Sequence, residues 1–389
     1  MKNAQYAGGG EATGVTLRLS SGRPRTEVPD LAVIIVSTND AHWLTPCLRT
    51  LYEHAGTALL DVVVVDNNPA DGTRALVEEH FPRARVVTCP NRGFAHANNR
   101  GFMTTSARYV LFLNPDTEVV SGTFGALVET LDRRPELGLV GVRQLTGEGA
   151  LYPTLRRFPN ALRALGEALG SESWPVTPTA LSERDLDLRH YDEERPCDWM
   201  TGAFMLARRE ALLSAGLLDE RFFLFAEEPD LCLRIRRAGW DVYHLPTMTI
   251  THHLGNRRVR PRMVAQDAYS RRLYARKHFS MPHRLAFLVA LAARHVIRAI
   301  PIGRGEQHAV RRAAARWALR MLAGRSEPPF GFPPRTAIDS SEAAAAVDSC
   351  AGVGLAHEWS QGLSDQRVQS LIIGEGAGLP VDYRTLSAG

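Results

Sequence analysis

Four stretches of this 389-residue chain carry side chains able to do acid–base or ligand chemistry. Tyr109–Glu118, YVLFLNPDTE, presents one carboxylate, Asp116, just after an apolar run. A second stretch, RFFLFAEEPDLCLRIRRAG, sets Glu227 and Glu228 directly before Pro229. Asp66-Asn67-Asn68 follows a run of valines, and His252-His253 offers two adjacent imidazoles. A carboxylate within hydrogen-bond reach of a hydroxyl is a general base, and one at a helix N-terminus is favoured in its charged form by the helix dipole. Each stretch also has a plainer reading. Asp116 would cap a helix beginning near Ser121, Glu227 and Glu228 would be ordinary acidic caps, and the histidines would be one core and one surface residue, since no HExxH spacing is present.

The elements around these residues decide where they point. LAVIIV from Leu31 predicts a buried strand, and Leu44, Cys47, Leu48 and Leu51 predict a helix within Asp40–His54. Val62–Val65 is a second strand, Asp71-Gly72-Thr73 opens a helix through His80, and Arg85–Val87 is a third strand. A helix over Ala95–Ser106 and the strand Tyr109–Leu113 follow. Pro115 cannot donate to a ladder, so Asp116 stands just past that strand's carboxyl end. Strand and helix alternate three times and close on a strand, which predicts an α/β fold with a doubly wound, mainly parallel sheet. Leu137–Val142 and Phe204–Ala207 predict further strands, whereas 145–197 shows no assignable pattern. Pro229 suits a first helical turn, Leu231, Cys232 and Ile235 give that helix an apolar face, and Gly239 can end it.

Ser37-Thr38-Asn39, Asp66-Asn67-Asn68, Asn91-Arg92-Gly93 and Asn114-Pro115-Asp116 all follow predicted strands. Asn, Asp and Gly also dominate turns for local backbone reasons. Four such clusters at one sheet edge nevertheless describe a polar pocket of the kind that holds a nucleotide. No GxGxxG and no GxxxxGK[ST] is present, so a dinucleotide enzyme or P-loop NTPase lacks its phosphate cradle.

Composition narrows the class. Forty-six basic against 42 acidic residues give a net charge of +4, with arginine concentrated between Arg257 and Arg325. Five scattered cysteines without a CxxC pair argue against a disulfide framework or zinc site and for a reducing, cytoplasmic compartment. The first residues lack the apolar core of a signal peptide, and the longest apolar run, Leu285–Ala293, is too short to span a bilayer. The expected organisation is a disordered leader at 1–29, a catalytic domain at 30–256, a basic helical region at 257–326 and a largely disordered tail at 327–389. Arg257–Lys277 and Leu285–Ile300 predict amphipathic helices able to rest on an anionic membrane surface, on the inner face of the plasma membrane. The plainer reading is packed helices with solvated arginines. A nucleic-acid partner has no recognition motif behind it.

From about Leu31 to Phe279 the chain resembles a family 2 glycosyltransferase of the GT-A fold, and within that family the rhamnosyltransferase-type enzymes. The resemblance is carried by Ile34-Ile35-Val36-Ser37-Thr38-Asn39, Val65-Asp66-Asn67, Asp71-Gly72-Thr73, Asn91-Arg92-Gly93-Phe94-Ala95 with Asn98, Asn99 and Gly101, and Leu113-Asn114-Pro115-Asp116-Thr117. It continues through Trp199-Met200-Thr201-Gly202-Ala203, Phe222-Phe223-Leu224-Phe225 with the acidic pair, and His252-His253-Leu254-Gly255. Each motif is weak alone; their order and spacing are specific.

The resemblance implies metal-dependent, inverting transfer of a sugar from a nucleotide diphosphate donor, dTDP-rhamnose in the rhamnosyltransferase branch, to a cell-surface glycan or lipid-linked acceptor. It implies that Ser37 and Asp66 hold base and ribose, that Asn91, Arg92, Gly93, Asn98 and Asn99 line the sugar–diphosphate side, and that Asn39, Asn67 and Asn114 also bind the nucleotide sugar. Asp116 matches the last carboxylate of the DxD-type motif that binds Mg²⁺ or Mn²⁺, and His252 a histidine near the diphosphate or metal. Trp199, Thr201 and Gly202 match an acceptor-side loop, and Glu228, paired with Glu227, the catalytic base. Two positions depart from the pattern: Asn114 replaces the first DxD carboxylate, and Glu228 stands where the family has Asp. A nucleotide-sugar-binding protein without catalysis is the alternative that these departures leave open, as is transfer of another hexose.

Overall fold

The computed structural model describes residues 28–253, 260–300 and 306–331. Most of the expected leader and tail lies outside the described residues. The chain runs β1 (Leu31–Ser37), α1 (Ala41–Glu53), β2 (Leu60–Asp66), α2 (Thr73–His80), β3 (Arg85–Thr88), α3 (Phe94–Phe102), β4 (Tyr109–Leu113), β5 (Thr117–Ser121), α4 (Phe124–Arg133) and β6 (Leu137–Thr146). There follow β7 (Leu155–Arg156), α5 (Ala161–Ala168), β8 (Arg195–Pro196), β9 (Trp199–Met200), β10 (Phe204–Arg208), α6 (Arg209–Ala215), α7 (Glu227–Arg237) and β11 (Asp241–His252). Helices α8 (Pro261–His278), α9 (Met281–Ala299) and α10 (Glu306–Leu322) complete it.

The main sheet has the order β3-β2-β1-β4-β10-β6-β11-β5. β1, β2, β3 and β4 are mutually parallel, with Ser37 level with Asp66. β6 and β11 are parallel to each other, and β10 runs antiparallel between β4 and β6. This is the doubly wound, mainly parallel α/β sheet that the alternating pattern predicts. Its central strands are apolar on both faces because helices cover both. Leu31, Val33 and Ile35 pack in the core that holds Leu44, Leu48 and Phe124. Ala32 and Ile34 face the opposite core with Phe102, Leu212 and Leu231. From β1 the chain winds out to β3, then α3 carries it back to β4 on the other side of β1. That reversal opens a crevice at the carboxyl ends of β1 and β4, where an α/β sheet receives its ligand.

Three local expectations change. Residues 117–121 form an edge strand paired antiparallel with β11, and the helix begins only at Phe124. Its cap is Thr123, whose hydroxyl accepts from the Ala126 amide at 3.3 Å, so Asp116 is not a helix cap. The helix begun at Ala95 stops at Phe102, short of Ser106. The twelve-residue β11 lies beyond the strands expected from pattern, because Pro246 and a register shift between Leu245 and Thr249 interrupt its alternation.

The C-terminal helices are tied to the rest of the chain through α5 and the segment after it. Ala164 of α5 packs with Ala265 and Ala268 of α8, Phe287 of α9 and Ala318 of α10. Below this contact Arg271 reaches Asp267, Glu183 and Glu167 at 3.0, 3.2 and 3.4 Å, and Arg294 reaches Glu167 at 2.9 Å. Residues just past α10 are placed too: Phe330 stacks on Phe223 at 4.3 Å, and the Arg262 guanidinium lies 3.9 Å from the Phe330 ring centroid.

Candidate active site

β4 delivers Asn114 and Asp116 to the crevice, and β11 ends beside them with His252 level with Thr117. The His252 imidazole Nε2 lies 3.2 Å from Asp116 Oδ1 and 3.5 Å from Asn114 Nδ2. The other ring nitrogen, Nδ1, is buried without a hydrogen-bond partner. One carboxylate oxygen and one imidazole nitrogen fit Mn²⁺, or Mg²⁺ through the oxygen, provided phosphate oxygens and water complete the shell. Among the described residues no group of three His, Cys, Asp or Glu side chains could hold a metal unaided. An ion held there would need further ligands from substrate or water.

Across the same cleft stands the acidic pair. α7 starts at Glu227, with Phe225 and Ala226 before it at φ 68° and 67°. That left-handed entry, unusual for side-chain-bearing residues, turns the chain so that Glu228 faces the β9–β10 loop. The Gly202 amide donates to Glu228 Oε1 at 3.2 Å, and a Cβ on Gly202 would stand 2.9 Å from the same oxygen. Glu227 is 2 % exposed, and its Oε2 has no partner. Burial and the charge of Glu228 push its carboxyl well above the usual range. Burial raises Glu228 too, but the Gly202 amide and the Arg156 guanidinium oppose that shift.

Behind the pair, Asp230 is fully buried and receives Lys277 and His278 of α8 at 2.7 Å each and Arg234 at 2.8 Å. Burial would lift its carboxyl, but the His278 hydrogen bond and the two cations hold it well below the ordinary range. Ser270 of α8 donates to the Leu224 carbonyl at 2.7 Å, so α8 braces both ends of the acidic loop.

The cleft has a volume of ≈ 1520 Å³ and brings together eight of the residues expected from sequence: Asn114, Asp116, Trp199, Thr201, Gly202, Glu227, Glu228 and His252. A second group lies apart from its lining, at the ends of β1 and β2. Ser37 Oγ is 3.0 Å from Thr73 Oγ1, and Asn39 Oδ1 accepts from Asn68 Nδ2 at 2.5 Å. Cys89 Sγ approaches Asn67 Oδ1 at 3.1 Å. Asp66 is fully buried, with Oδ1 accepting the Asn68 amide at 2.9 Å and Oδ2 unpartnered; burial raises its carboxyl. Asp40 lines the cleft and accepts the Thr38 amide at 3.4 Å, and its carboxyl is raised by burial and by the facing charge of Asp116.

The third group has structural partners. Asn91 Oδ1 accepts the Gly93 amide at 3.2 Å, closing a turn in which Asn91 and Arg92 are exposed. Gly93, at φ 104°, lies against the Phe223 backbone, where any Cβ would collide with its carbonyl. Asn99 donates to the Leu218 carbonyl and Glu220 at 2.8 and 3.1 Å, and His96 meets Glu220 at 2.7 Å. Asn98 donates to the Phe94 carbonyl at 3.0 Å, leaving its own oxygen buried and unmet. Asn99 thus secures α3 to the segment leading into the acidic loop.

Among the cleft residues that sequence reasoning missed are Asp40, Trp43, Tyr152 and Arg156. Trp43 stacks on His253 at 4.5 Å, and the ring of Tyr152 stands edge-on to His252 at 6.4 Å. Asp40 follows a predicted strand end and was findable. Tyr152 and Arg156 sit in the stretch without periodicity.

The profile described as Glycosyl transferase family 2 matches residues 32–211. The chain is 31% identical over 206 residues to the N-acetylglucosaminyl-diphospho-decaprenol L-rhamnosyltransferase of Mycobacterium tuberculosis, a match covering 50% of this chain and 66% of that protein. It is 21% identical over 229 residues to Rhamnosyltransferase WbbL of Escherichia coli strain K12, covering 57% of this chain and 82% of that protein. In shape it is similar to the mannosyltransferase PcManGT of Pyrobaculum calidifontis, solved in complex with GDP-Man and Mn²⁺. That similarity has a TM-score of 0.43 at 17% identity and covers 90% of this chain and 84% of that one.

Proposed function

Because the chain belongs to glycosyl transferase family 2 through residues 32–211, we propose that it is an inverting, metal-assisted glycosyltransferase that takes rhamnose from a nucleotide diphosphate donor. The acceptor is a cell-surface glycan precursor, lipid-linked as in the name of the mycobacterial relative. The observation that carries this reading is the pairing, across one cleft, of Asp116 and His252 with Glu227 and Glu228. One side suits a diphosphate leaving group, the other a hydroxyl nucleophile.

In this mechanism the acceptor hydroxyl gives its proton to Glu228 as its oxygen bonds to the anomeric carbon. The bond from that carbon to the diphosphate oxygen breaks on the opposite face, which inverts the centre. Asp116 and His252 would hold the divalent ion, Mg²⁺ or Mn²⁺, whose chemistry is to offset charge gathering on the leaving diphosphate. Ser37, Asn39, Asp66 and Asn67 hold the nucleoside end, and Trp199, Thr201 and Gly202 shape the acceptor side. The catalytic unit is 30–256, supported by the helices of 257–326.

Peripheral membrane attachment is part of the proposal. Met281, Leu285, Val289 and Val296 of α9 are each more than half exposed and share one side of the helix at its 100° per residue advance, and Ile300 just past its end is exposed as well. Residues 260–331 are strongly basic, which suits an anionic lipid surface. No described helix is long and apolar enough to cross a membrane.

A thermal-shift screen of dTDP-, UDP- and GDP-sugars with Mn²⁺ tests the donor, since a ligand bound only by the native state raises its melting temperature. Asp116→Asn should abolish the Mn²⁺-dependent part of the shift and the turnover of labelled donor, with the melting temperature of the free protein unchanged. Full metal-dependent binding by that variant would remove Asp116 from the site.

A further inference from the structure

The acceptor side of the cleft contains a cation that the proposed mechanism leaves unused. Arg156 is the last residue of β7, and in the two-stranded ladder it lies level with Trp199, the first residue of β9. Two and three residues further on, Thr201 and Gly202 line the cleft with Glu228. The Arg156 guanidinium stands 5.8 Å from the Trp199 ring centroid, and its Nε is buried without a hydrogen-bond partner. Thr201 Oγ1, on the same wall, is also buried and unmet.

The neighbouring cations are satisfied. Arg184 pairs with Glu172 at 3.3 Å, Arg271 with three carboxylates, and Arg294 with Glu167 and Asp267. Among the described residues, Arg156 alone of the half-buried arginines lining the cleft has no carboxylate within 4.0 Å, while Arg260 and Arg311 are exposed. Arginine stays charged throughout the physiological range, and desolvating a charge without a counter-ion is strongly unfavourable. Burial and the facing charge of Arg184 both disfavour the guanidinium here. Packing does not require this arrangement: an apolar side chain on β7 would lie on Trp199 without the cost. An incoming anion removes it, and the planar fork of arginine suits phosphate in particular.

We propose that Arg156, with Thr201 beside it, forms a phosphate subsite on the acceptor side, so that the acceptor is recognised as a phosphate or diphosphate ester of a sugar. This rests on the transferase reading, in which the mycobacterial relative's name already gives a diphosphate-bearing acceptor; what it adds is the pair of residues that recognise the phosphate. The subsite is proposed as distinct from the Asp116–His252 position assigned to the donor diphosphate, and a nucleotide-binding measurement separates the two.

The test uses the full chain with its donor position filled by Mn²⁺ and whichever of dTDP, UDP and GDP binds. Calorimetry then compares the 1-phosphates of N-acetylglucosamine, glucose and galactose with the corresponding free sugars. The parent should bind at least one sugar 1-phosphate ten-fold or more tighter than its free sugar, and inorganic sulfate should compete. Arg156→Gln should lose that preference by ten-fold or more, and Arg156→Lys should keep part of it. Nucleotide affinity should stay within two-fold in both.

Absence of a phosphate preference in the parent overturns the proposal. So does an equal loss of nucleotide binding in Arg156→Gln, which would move the residue to the donor site. A change confined to the acid limb of the turnover–pH profile, with phosphate binding intact, would make Arg156 only a tuner of Glu228 and also overturns it. If Arg156→Gln does not fold, sulfate competition in the parent decides the matter. Failure of every nucleotide to bind the parent refutes the transferase reading instead, so the two failures are distinct.

Discussion

Replacing Glu228 by glutamine removes a negative charge and little else. Glutamine keeps a carbonyl oxygen where Oε1 accepts the Gly202 amide at 3.2 Å, so the β9–β10 loop keeps its anchor. What disappears is the capacity to take a proton. A positioned general base contributes about 10²- to 10⁴-fold in rate, which is about 2.7 to 5.4 kcal/mol of barrier at about 1.36 kcal/mol per decade. Glu227→Gln makes an instructive partner. Burial and the charge of Glu228 hold Glu227 toward its neutral form, and a neutral carboxyl closely resembles an amide. Glu227→Gln should therefore cost less than ten-fold in turnover, roughly the value of one hydrogen bond. The assay is product formation from labelled donor at saturating donor and acceptor, with donor Kd measured separately; Glu228→Gln should lower kcat and leave that Kd unchanged. The acid limb of the parent's profile should lie above the ordinary glutamate range, because burial raises Glu228. A second readout concerns stability: Glu227 has a folded pKa above its unfolded one, so its contribution is present below the unfolded value and is lost as pH rises through the folded value. Glu227→Gln should accordingly melt higher than the parent at alkaline pH. A larger kinetic defect in Glu227→Gln than in Glu228→Gln would refute the assignment of the base.

Asp230→Asn leaves Lys277, His278 and Arg234 around a neutral group, and breaking such a buried set should cost about 3–5 kcal/mol in urea denaturation. The depressed pKa of Asp230 means that this stability is present above the ordinary carboxylate pKa and lost as pH falls toward the folded value, so parent and variant should converge in acid. Gly93→Ala combines a φ of 104° with a collision against the Phe223 carbonyl; the acidic loop should shift, with kcat reduced by ten-fold or more and accelerated proteolysis near Phe223. Leu285→Glu with Val289→Glu changes only exposed positions of α9, and should reduce binding to anionic vesicles with no change in melting temperature. Equal vesicle binding by parent and double variant would end the membrane reading.

The sheet was legible because its strands are buried on both faces. LAVIIV, Val62–Val65 and Tyr109–Leu113 are apolar without alternation, and helical periodicity between them leaves few topologies open. The placement of the motif residues at strand ends was legible for the same reason, since parallel strands bring their carboxyl ends to one edge, but of the four clusters only Asn114-Pro115-Asp116 supplies residues to the cleft. Tertiary structure decided three things that no local pattern encodes. It turned residues 117–121 into a strand, because β11 offered an edge to pair with. It separated Glu227 from Glu228, adjacent in sequence and alike in chemistry, by burying one among its neighbours and giving the other the Gly202 amide. It also brought Arg156 level with Trp199 across 43 positions of chain. Pairing and desolvation depend on what other segments place beside a residue. A side chain's type and spacing specify its chemistry, whereas its charge state and its partners are settled only by the packed chain.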